Sequence, residues 1–475
     1  MLFNSLHFLI FFPIVYLLFW TLGAKSVKVQ NVLVLLASYY FYASWDWRFL
    51  SLLIIITAVN YFAGLKIEES ENLKRKKQIL AISITFNLVC LGFFKYFNFF
   101  ISSWVSLFNI FGYHMDAGTL NIILPIGISF YTFHTMSYTI DVYRGMIKPT
   151  KKILDFSCFV AFFPQLVAGP ISRARDVLPQ FSEARIFNFE EAMNGFVLIF
   201  WGLFKKLVVA DNAGIYVSHI LRAPHLYSSS NIIIVIFLYA FQIYGDFSGY
   251  SDIAIGASLL MGIRLMQNFR QPYFSKSLSE FWNRWHISLS SWFYDYLFNA
   301  IVIAKRDWGK AAIVFGLMVT FLTSGLWHGA NWTFVGWGFI HGAGLTLFFI
   351  TAGIRKKIGK FMPKVVNHAI GIAFTFSYVC FSYIFFRSPS WDIIMQIFHA
   401  IGRMSFRPFA VEFFTLGKII VYISLLIIAD IFIYFEIHKK VLKTVFAKVL
   451  VIILLIMSIV IVGSFQGNQF IYFNF

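Results

Sequence analysis

The sequence has few of the residues that stabilise disulfide-bonded domains and the surfaces of soluble proteins. Of its 475 residues only 13% are charged, and three are cysteines, at positions 90, 158 and 380. These cysteines lie far apart within apolar runs and form no CxxC or Cys/His cluster, so neither a disulfide framework nor a zinc site is indicated. We interpret them as small buried core residues.

Acidic residues are scarce as well, with 21 Asp and Glu against 39 Lys and Arg, which gives a formal net charge of +18. The basic residues cluster in short loops between apolar runs, so the positive-inside rule accounts for much of the excess. Some could also face anionic lipid headgroups or a phosphate-bearing donor. Because no basic face independent of these loops is visible, we predict no binding of nucleic acid.

Apolar residues are abundant instead: 59% of the chain is hydrophobic, 60 residues are Phe, and the mean hydropathy is +0.74. Runs of nearly 20 apolar residues recur along the whole length, which predicts an all-α polytopic membrane protein. Prolines 125, 164 and 170 lie in or near two of these runs and predict re-entrant or broken helices there. The candidate spans are 6–22, 31–45, 49–65, 78–110, 121–142, 153–169, 190–220, 231–262, 311–327, 332–352, 367–386, 415–436 and 449–463.

The N-terminal segment has no basic region and no small-residue cleavage site, so we predict a retained first span rather than a signal peptide. The basic loops at 25–28, 66–77 and 148–152 fall on one side if the early spans alternate, and that side should be cytoplasmic. Arg173, Arg175 and Arg185 do not fit this alternation. A partly re-entrant centre of the chain would explain their position.

The most polar stretch is SEFWNRWHISLSSWFYDY, residues 279–296. As a single helix it would carry a polar stripe and an adjacent apolar stripe, with His286 and Ser290 between them. The polar stripe would hold Arg284 and Asp295, and the apolar stripe would hold Trp285. Spacing alone favours an interfacial anchoring helix over a catalytic role for His286.

A second polar stretch, TSGLWHGANW at 323–332, places His328 within an apolar region. Since residues 305–310 are basic and predicted to be cytoplasmic, the following run carries His328 into the outer half of the membrane. Its imidazole could serve as a general base, with Asn331 orienting the ring or a reacting carbonyl. A core histidine bonded to a helix carbonyl is an equally supported alternative at this point.

A third polar stretch, QIYGDFSGYSD at 242–252, contains Asp246 and Asp252 within a span. We expect a wet cavity here, or ion pairs with a nearby arginine such as Arg270 or Arg284. Nothing in the pattern resembles a set of metal ligands, and we predict no metal site. No GxSxG, P-loop, GxGxxG or HExxH motif is present.

Four segments in this order resemble the membrane-bound O-acyltransferase (MBOAT) family, in its bacterial alginate O-acetylation membrane-subunit-like branch. They read FFPQLVAGPI at 162–171, QIYGDFSGYSDIAIG at 242–256, NFRQPYFSKSLSEFWNRWHISLSSWF at 268–293 and SGLWHGANWTFVGWGFIHG at 324–342. The resemblance extends over residues 1–475, which predicts a single membrane-embedded acyltransferase domain with about 11–13 transmembrane or re-entrant helices and core motifs at 162–342.

The resemblance implies a helical bundle with a thin central floor, where a funnel from one side meets a tunnel from the other. It implies that His328, in the WHG motif, is catalytic and that His286, in the WHISLS motif, is the second site residue. The remaining predicted members of the site support these two, stabilise an oxyanion or contact substrate: Asn331, Trp327, Trp285, Asp246, Ser290 and Arg284.

The function implied is a multi-pass O-acyltransferase of the bacterial inner membrane, with no bound cofactor. Acetyl-CoA is the expected donor, and an exported or cell-wall polysaccharide is the expected acceptor. An extracytoplasmic acetyltransferase-like or esterase-like partner would complete the transfer. D-alanyl or other acyl transfer from a carrier-protein thioester is the main variant. A polysaccharide or lipid transporter is the alternative from another class, although the chain lacks the internal repeat of many transporters.

Overall fold

The computed structural model describes residues 1, 3–23, 26–113, 118–167, 169–406, 413–465, 470 and 471, with the main chain alone at 413–415. Every regular element in these residues is a helix, which confirms the all-α prediction. Ten helical segments among them are long and apolar enough to cross a membrane. The first helix, of 16 residues, is apolar but shorter than those ten.

The helices group into two compact units, the first formed by residues 1–195 and 254–266. Its helices, numbered in chain order, are α1 (Leu6–Thr21), α2 (Val27–Asp46), α3 (Leu50–Glu69), α4 (Leu73–Leu91), α5 (Phe97–Ile110), α6 (Ile128–Tyr143), α7 (Ile153–Ala161), α8 (Phe163–Leu166), α9 (Ala174–Ser182) and the start of α10 (Phe189–Leu203). A π-helical turn, Gly92–Tyr96, joins α4 to α5.

The second unit is formed by residues 196–253 and 267–475. It contains the end of α10 and α11 (Asp211–Leu221), most of α12 (Ser229–Leu260), then α13 (Leu278–Trp282), α14 (Ile287–Phe293), α15 (Asn299–Ala304), α16 (Lys310–His328), α17 (Trp332–Ile350), α18 (Ala352–Lys360), α19 (Lys364–Arg387), α20 (Trp391–Gly402), α21 (Phe413–Tyr434), α22 (Ile437–Val441) and α23 (Val445–Val462). That residues 1–475 act as one acyltransferase domain remains a prediction.

The middle of the first unit is divided into short helices. The prolines, and the arginines that do not fit the alternation of the basic loops, predicted such a division. The predicted span 153–169 is divided between α7 and α8, with Pro164 in the first turn of α8, where its missing N–H costs nothing. Arg173 and Arg185 lie in the connections before and after α9, and both are buried in protein. The Arg185 guanidinium donates to Gln30 at 3.0 Å, and burial lowers the pKa of Arg185 to about 10.

The helical hairpin α16–α17 of the second unit brings two backbones into contact. A side chain at Gly325 would collide with the carbonyl of Phe334, and one at Gly338 would collide with the carbonyl of Phe321. Small residues allow such close packing of membrane helices. The hairpin therefore holds the last turn of α16, which ends at His328, against the first turns of α17.

Candidate active site

The stretch around His286 is not the continuous helix that its polar and apolar stripes predicted. α13 ends at Trp282, α14 begins at Ile287, and His286 between them has a left-handed backbone with φ 44° and ψ 52°. The break is held from outside the stretch, because the carbonyl of Asn268 accepts from the N–H of Ile287 at 2.9 Å. This pairing is tertiary, so the local helical periodicity could not reveal it.

The broken conformation buries His286 completely. Its ring stands edge-on to Phe247 with centroids 4.6 Å apart, and the Trp327 ring lies 6.0 Å away. On its other edge, Nδ1 lies 3.2 Å from the side-chain oxygen of Asn268. His286 thus lies inside the second unit and does not anchor an interfacial helix.

His328 is the last residue of α16 and is also buried. Three aromatic rings surround its imidazole: Trp327 and Trp337 at 5.0 Å between centroids, and Phe386 at 5.3 Å. Gly329, which follows, has no room for a side chain because the Phe334 ring occupies that space. The glycine of the WHG motif therefore lets Phe334 pack against Phe386, one ring of this aromatic cage, with centroids 5.0 Å apart.

The fold brings the two predicted histidines together, although they are 42 positions apart in the chain. Their ring centroids are 6.5 Å apart and their planes are inclined by 57°. The Trp327 ring contacts both imidazoles, so the pair shares one aromatic neighbour. Histidine is also the side chain whose unperturbed pKa suits proton transfer near neutral pH.

A third buried histidine, His341, has both ring nitrogens engaged by protein. The indole N–H of Trp282 donates to Nδ1 at 3.3 Å, which makes Nδ1 the acceptor. Nε2 therefore carries the proton and donates to the Ser382 hydroxyl at 2.9 Å, which itself donates to the carbonyl of Val379. These bonds give His341 a structural role beside the site.

Buried charges occur next to the site as two lysine–aspartate groups. Lys206 Nζ lies 2.6 Å from Asp246 and 2.9 Å from Asp211, and Lys205 Nζ lies 2.6 Å from Asp252. The predicted arginine partners of the two aspartates were therefore wrong. Both lysines lie in a π-helical segment, Phe204–Ala210, whose wider turn accommodates two consecutive inward side chains.

Asp246 also binds the last described residues of the chain. Its second carboxylate oxygen accepts from the N–H of Ile471 at 2.8 Å, and the neighbouring Phe470 ring stacks on Tyr250 at 4.6 Å. The Phe470 ring also lies 5.5 Å from Phe247, the residue that packs against His286. Asp246 thus supports the wall of the site through Phe247, Phe470 and Ile471.

A cavity of about 380 Å³ lies along α14 and α16. Hydroxyl groups of Ser290, Ser291, Thr320 and Ser324 line it together with apolar side chains. The Thr320 hydroxyl is buried and has no hydrogen-bond partner among the described residues, as expected where a polar ligand binds. Ser324, the lining residue nearest the end of α16, precedes His328 by about one helical turn.

Of the other predicted site residues, Ser290 lines the cavity and Trp327 contacts both histidines. Trp285 packs in an aromatic cluster, face to face with Phe281 with centroids 5.5 Å apart. The ring contacts described for Trp285 do not include either histidine of the pair. Arg284 pairs with Glu280 at 2.8 Å, not with an aspartate of α12. These two residues support the broken segment.

Asn331 is the N-cap of α17. Its side-chain oxygen accepts from the N–H of Thr333 at 2.9 Å, and its amide group donates to the carbonyl of Pro389 at 2.8 Å. The side-chain oxygen is therefore engaged in capping, and the amide group is engaged with the carbonyl of Pro389. This arrangement argues against the predicted oxyanion role. Among the described residues no group of three side chains could hold a metal ion.

Comparison with known proteins gives the same family as the four sequence segments, and the similarity covers most of the chain. Residues 148–388 match the sequence model of the membrane-bound O-acyltransferase family. A Pseudomonas syringae pv. tomato protein named "Probable alginate O-acetylase AlgI" is 39% identical over 405 residues, 85% of this chain and 74% of that protein.

The names of two other relatives specify different acceptors. The peptidoglycan O-acetyltransferase of Helicobacter pylori is 33% identical over 84% of this chain and 79% of its own length. The teichoic acid D-alanyltransferase of Bacillus subtilis is 31% identical over 57% of this chain and 70% of its own length. Family membership favours an enzyme over the transporter alternative. The chain belongs to the membrane-bound O-acyltransferase family and is an O-acyltransferase, a multi-pass protein of the bacterial cell membrane.

Proposed function

We propose that this enzyme takes acetyl groups from a cytoplasmic thioester, acetyl-CoA, and moves them outward for O-acetylation of an exported or cell-wall polysaccharide. The observation that carries the proposal is the pair of buried imidazoles, His286 and His328, with ring centroids 6.5 Å apart. Buried histidines in a membrane helix bundle are costly and are expected to have a function. Proton transfer during acyl transfer is such a function.

The cavity along α16 supports a donor that enters from the cytoplasm. The basic residues 305–310 precede α16 and are predicted to be cytoplasmic. Leu317, Thr320 and Ser324 line the cavity in order along the helix before His328 is reached. From Leu317 to His328 the helix rises by about 16 Å, so a narrow thioester arm lying there would present its carbonyl near the histidines.

In the proposed reaction His328 acts as the general base. It takes the proton from an acceptor hydroxyl while that oxygen attacks the thioester carbonyl, giving a tetrahedral intermediate. Collapse of the intermediate breaks the carbon–sulfur bond, and the departing thiolate takes the proton back from the imidazolium of His328. The products are an ester and a free thiol. His286 positions the donor within reach of this base.

The oxyanion of the intermediate needs a hydrogen-bond donor, and Trp337 is placed to provide one. Its indole N–H is buried and has no hydrogen-bond partner among the described residues. The Trp337 ring lies 5.0 Å from that of His328, nearly perpendicular to it. We therefore assign the oxyanion role to Trp337, because the amide group of Asn331 donates to the carbonyl of Pro389 instead.

Acetyl transfer is favoured over D-alanyl transfer by the extent of the similarity. The two O-acetylating relatives match 84–85% of this chain, whereas the D-alanyltransferase matches 57%. We propose that an acetyltransferase-like or esterase-like partner outside the cytoplasm brings the polymer to the site, as the family resemblance implies.

The test uses inverted membrane vesicles, whose cytoplasmic face is outside, from cells that express the chain. Vesicles receive ¹³C-acetyl-CoA or a ¹³C-D-alanyl carrier protein, and mass spectrometry then measures labelled ester inside them. We expect ester label from acetyl-CoA alone, and loss of that label in His328→Gln vesicles with equal protein content. Label from the D-alanyl carrier alone would overturn the acetyl proposal, and label from neither would overturn the thioester-donor proposal.

A further inference from the structure

One asparagine, Asn268, makes hydrogen bonds to His286 and to the two residues that follow it. Asn268 is buried, and its side-chain oxygen lies 3.2 Å from His286 Nδ1, 3.2 Å from the N–H of Ser288 and 2.9 Å from the Ser288 hydroxyl. Its side-chain nitrogen donates to the hydroxyl of Ser251 at 3.1 Å. Its carbonyl accepts from Ile287 N–H, directly after the left-handed residue.

The orientation of this amide follows from the donors around it. The backbone N–H of Ser288 can only donate, so the atom of Asn268 that faces it must be the oxygen. A rotated amide would place an NH₂ group against that N–H and would lose the bond. The pairing of the opposite end with Ser251 agrees with the same orientation.

This orientation decides which nitrogen of His286 carries the proton. The oxygen of Asn268 has only lone pairs to offer, so Nδ1 must be protonated and donate to it. The Ser288 hydroxyl, 3.5 Å from Nδ1, supplies its single proton to the same Asn268 oxygen at the shorter distance of 2.9 Å. In the neutral imidazole Nε2 is then the nitrogen with the lone pair.

His341 in the same unit shows the opposite arrangement and provides a natural comparison. There the Trp282 indole donates to Nδ1, and Nε2–H donates to a serine hydroxyl. The two buried rings are therefore held as different tautomers by their neighbours. The neighbours of His286 select the form whose Nε2 accepts a proton or a hydrogen bond.

We propose that Asn268 is the positioning residue of the site: it holds His286 as the Nδ1–H tautomer, so that Nε2 meets the substrate as an acceptor. In this form neutral His286 binds an N–H or O–H of the substrate and does not donate to the oxyanion. The inference deepens the proposed function, since that function gives His286 its task. The tautomer itself is independent of which acyl group is transferred.

The test is solid-state ¹⁵N NMR of the full chain, labelled with [¹⁵N]histidine, in lipid bilayers at neutral pH. A His286→Gln spectrum assigns the His286 signals among the 11 histidines. We expect a protonated Nδ1 and an unprotonated Nε2 in the wild type. Nε2–H as the main form in the wild type would overturn the proposal.

Variants then test whether Asn268 is the cause. Asn268→Asp keeps an oxygen acceptor and should retain a protonated Nδ1, whereas Asn268→Ala should lose the single tautomer. Unchanged His286 signals in folded Asn268→Ala would overturn the proposal. The matched control is Asn231→Ala, because Asn231 is also buried, in the second unit, and bonds Ser228 rather than the site.

Ester transfer provides the functional readout. Asn268→Ala should lower transfer roughly 10²-fold, within the range that general acid–base groups contribute, and Asn268→Asp should recover at least a tenth of wild-type transfer. An equal loss of ester transfer in both variants would indicate that Asn268 has only a structural role. A correct tautomer with no dependence of transfer on His286 would instead count against the proposed function, so the two failures can be distinguished.

Discussion

The imidazoles of His286 and His328 lie 6.5 Å apart between ring centroids, within one compact unit of the protein. The two residues reach this position by different means. His328 ends a helix that is fixed by close backbone contact with its neighbour, whereas His286 lies in a break between two short helices. Their proximity is therefore a product of tertiary structure. Variants that alter the site can be tested for activity, and variants that alter helix packing can be tested for stability.

Filling the cavity along α14 and α16 should block the donor. We expect Ser290→Phe to lower ester transfer at least about tenfold, because the added ring occupies space that a thioester arm needs, whereas Ser290→Ala leaves the space open. Initial rates of transfer at several donor concentrations measure the effect. Ser458→Phe, at a partly exposed position of α23, is the control. Full transfer in Ser290→Phe would contradict the cavity's role.

Removing the indole N–H of Trp337 should weaken catalysis while most of the aromatic cage remains. Trp337→Phe should lower the maximal rate by roughly 10²-fold, the loss expected for one oxyanion donor, with little change in the donor concentration at half-maximal rate. The exposed Trp104→Phe in α5 is the matched control. A higher half-saturating concentration with an unchanged maximal rate would indicate a binding role instead.

Breaking the buried ion pair of Lys205 and Asp252 should destabilise the protein. Lys205→Met leaves a largely buried carboxylate without its partner, which costs about 3–5 kcal/mol, and adding Asp252→Asn should recover part of the loss. Thermal unfolding in detergent measures both variants. The exposed pair Lys439 and Glu436 is the control, since its loss should cost less than about 1 kcal/mol. No recovery in the double variant would contradict the pairing.

The backbone contact of α16 and α17 should not tolerate a side chain. Gly325→Ala should lower stability by about 1–3 kcal/mol, because its methyl group would collide with the Phe334 carbonyl. Gly353→Ala in α18, where the added carbon meets open space, should be neutral or stabilising, since alanine favours helix. A melting temperature of Gly325→Ala equal to that of the wild type would show that the hairpin adjusts.

Much of the fold could be predicted because hydropathy reports directly on membrane helices. The predicted spans 49–65, 311–327 and 367–386 correspond to α3, α16 and α19 within a few residues. The irregular centre was also indicated by Pro164 and by arginines that do not fit a simple alternation of cytoplasmic and external loops. The division of residues 279–296 at His286 was not, because Asn268, which holds the break, lies outside that stretch.

The sequence contained a signal for the partners of the buried aspartates that our prediction did not use. Lys205 and Lys206 stand in the middle of a predicted span, and lysines at such a position require carboxylate partners. Asp246 and Asp252 were noted as candidates for ion pairs, yet arginines near the helix ends were expected to bind them. The capping role of Asn331 was also readable, since asparagine directly before a helix is a strong N-cap.

The central claim is that the histidine pair transfers acetyl groups to a polymer outside the cytoplasm. The most direct measurement compares ester content of surface polysaccharide and cell wall, by alkaline release and mass spectrometry, between wild-type and His328→Ala strains with equal membrane levels of the protein. His368→Gln, at an exposed position of α19, is the control strain. The account predicts a selective loss of acetyl ester from one polymer in His328→Ala alone; unchanged acetyl ester on every polymer would contradict it.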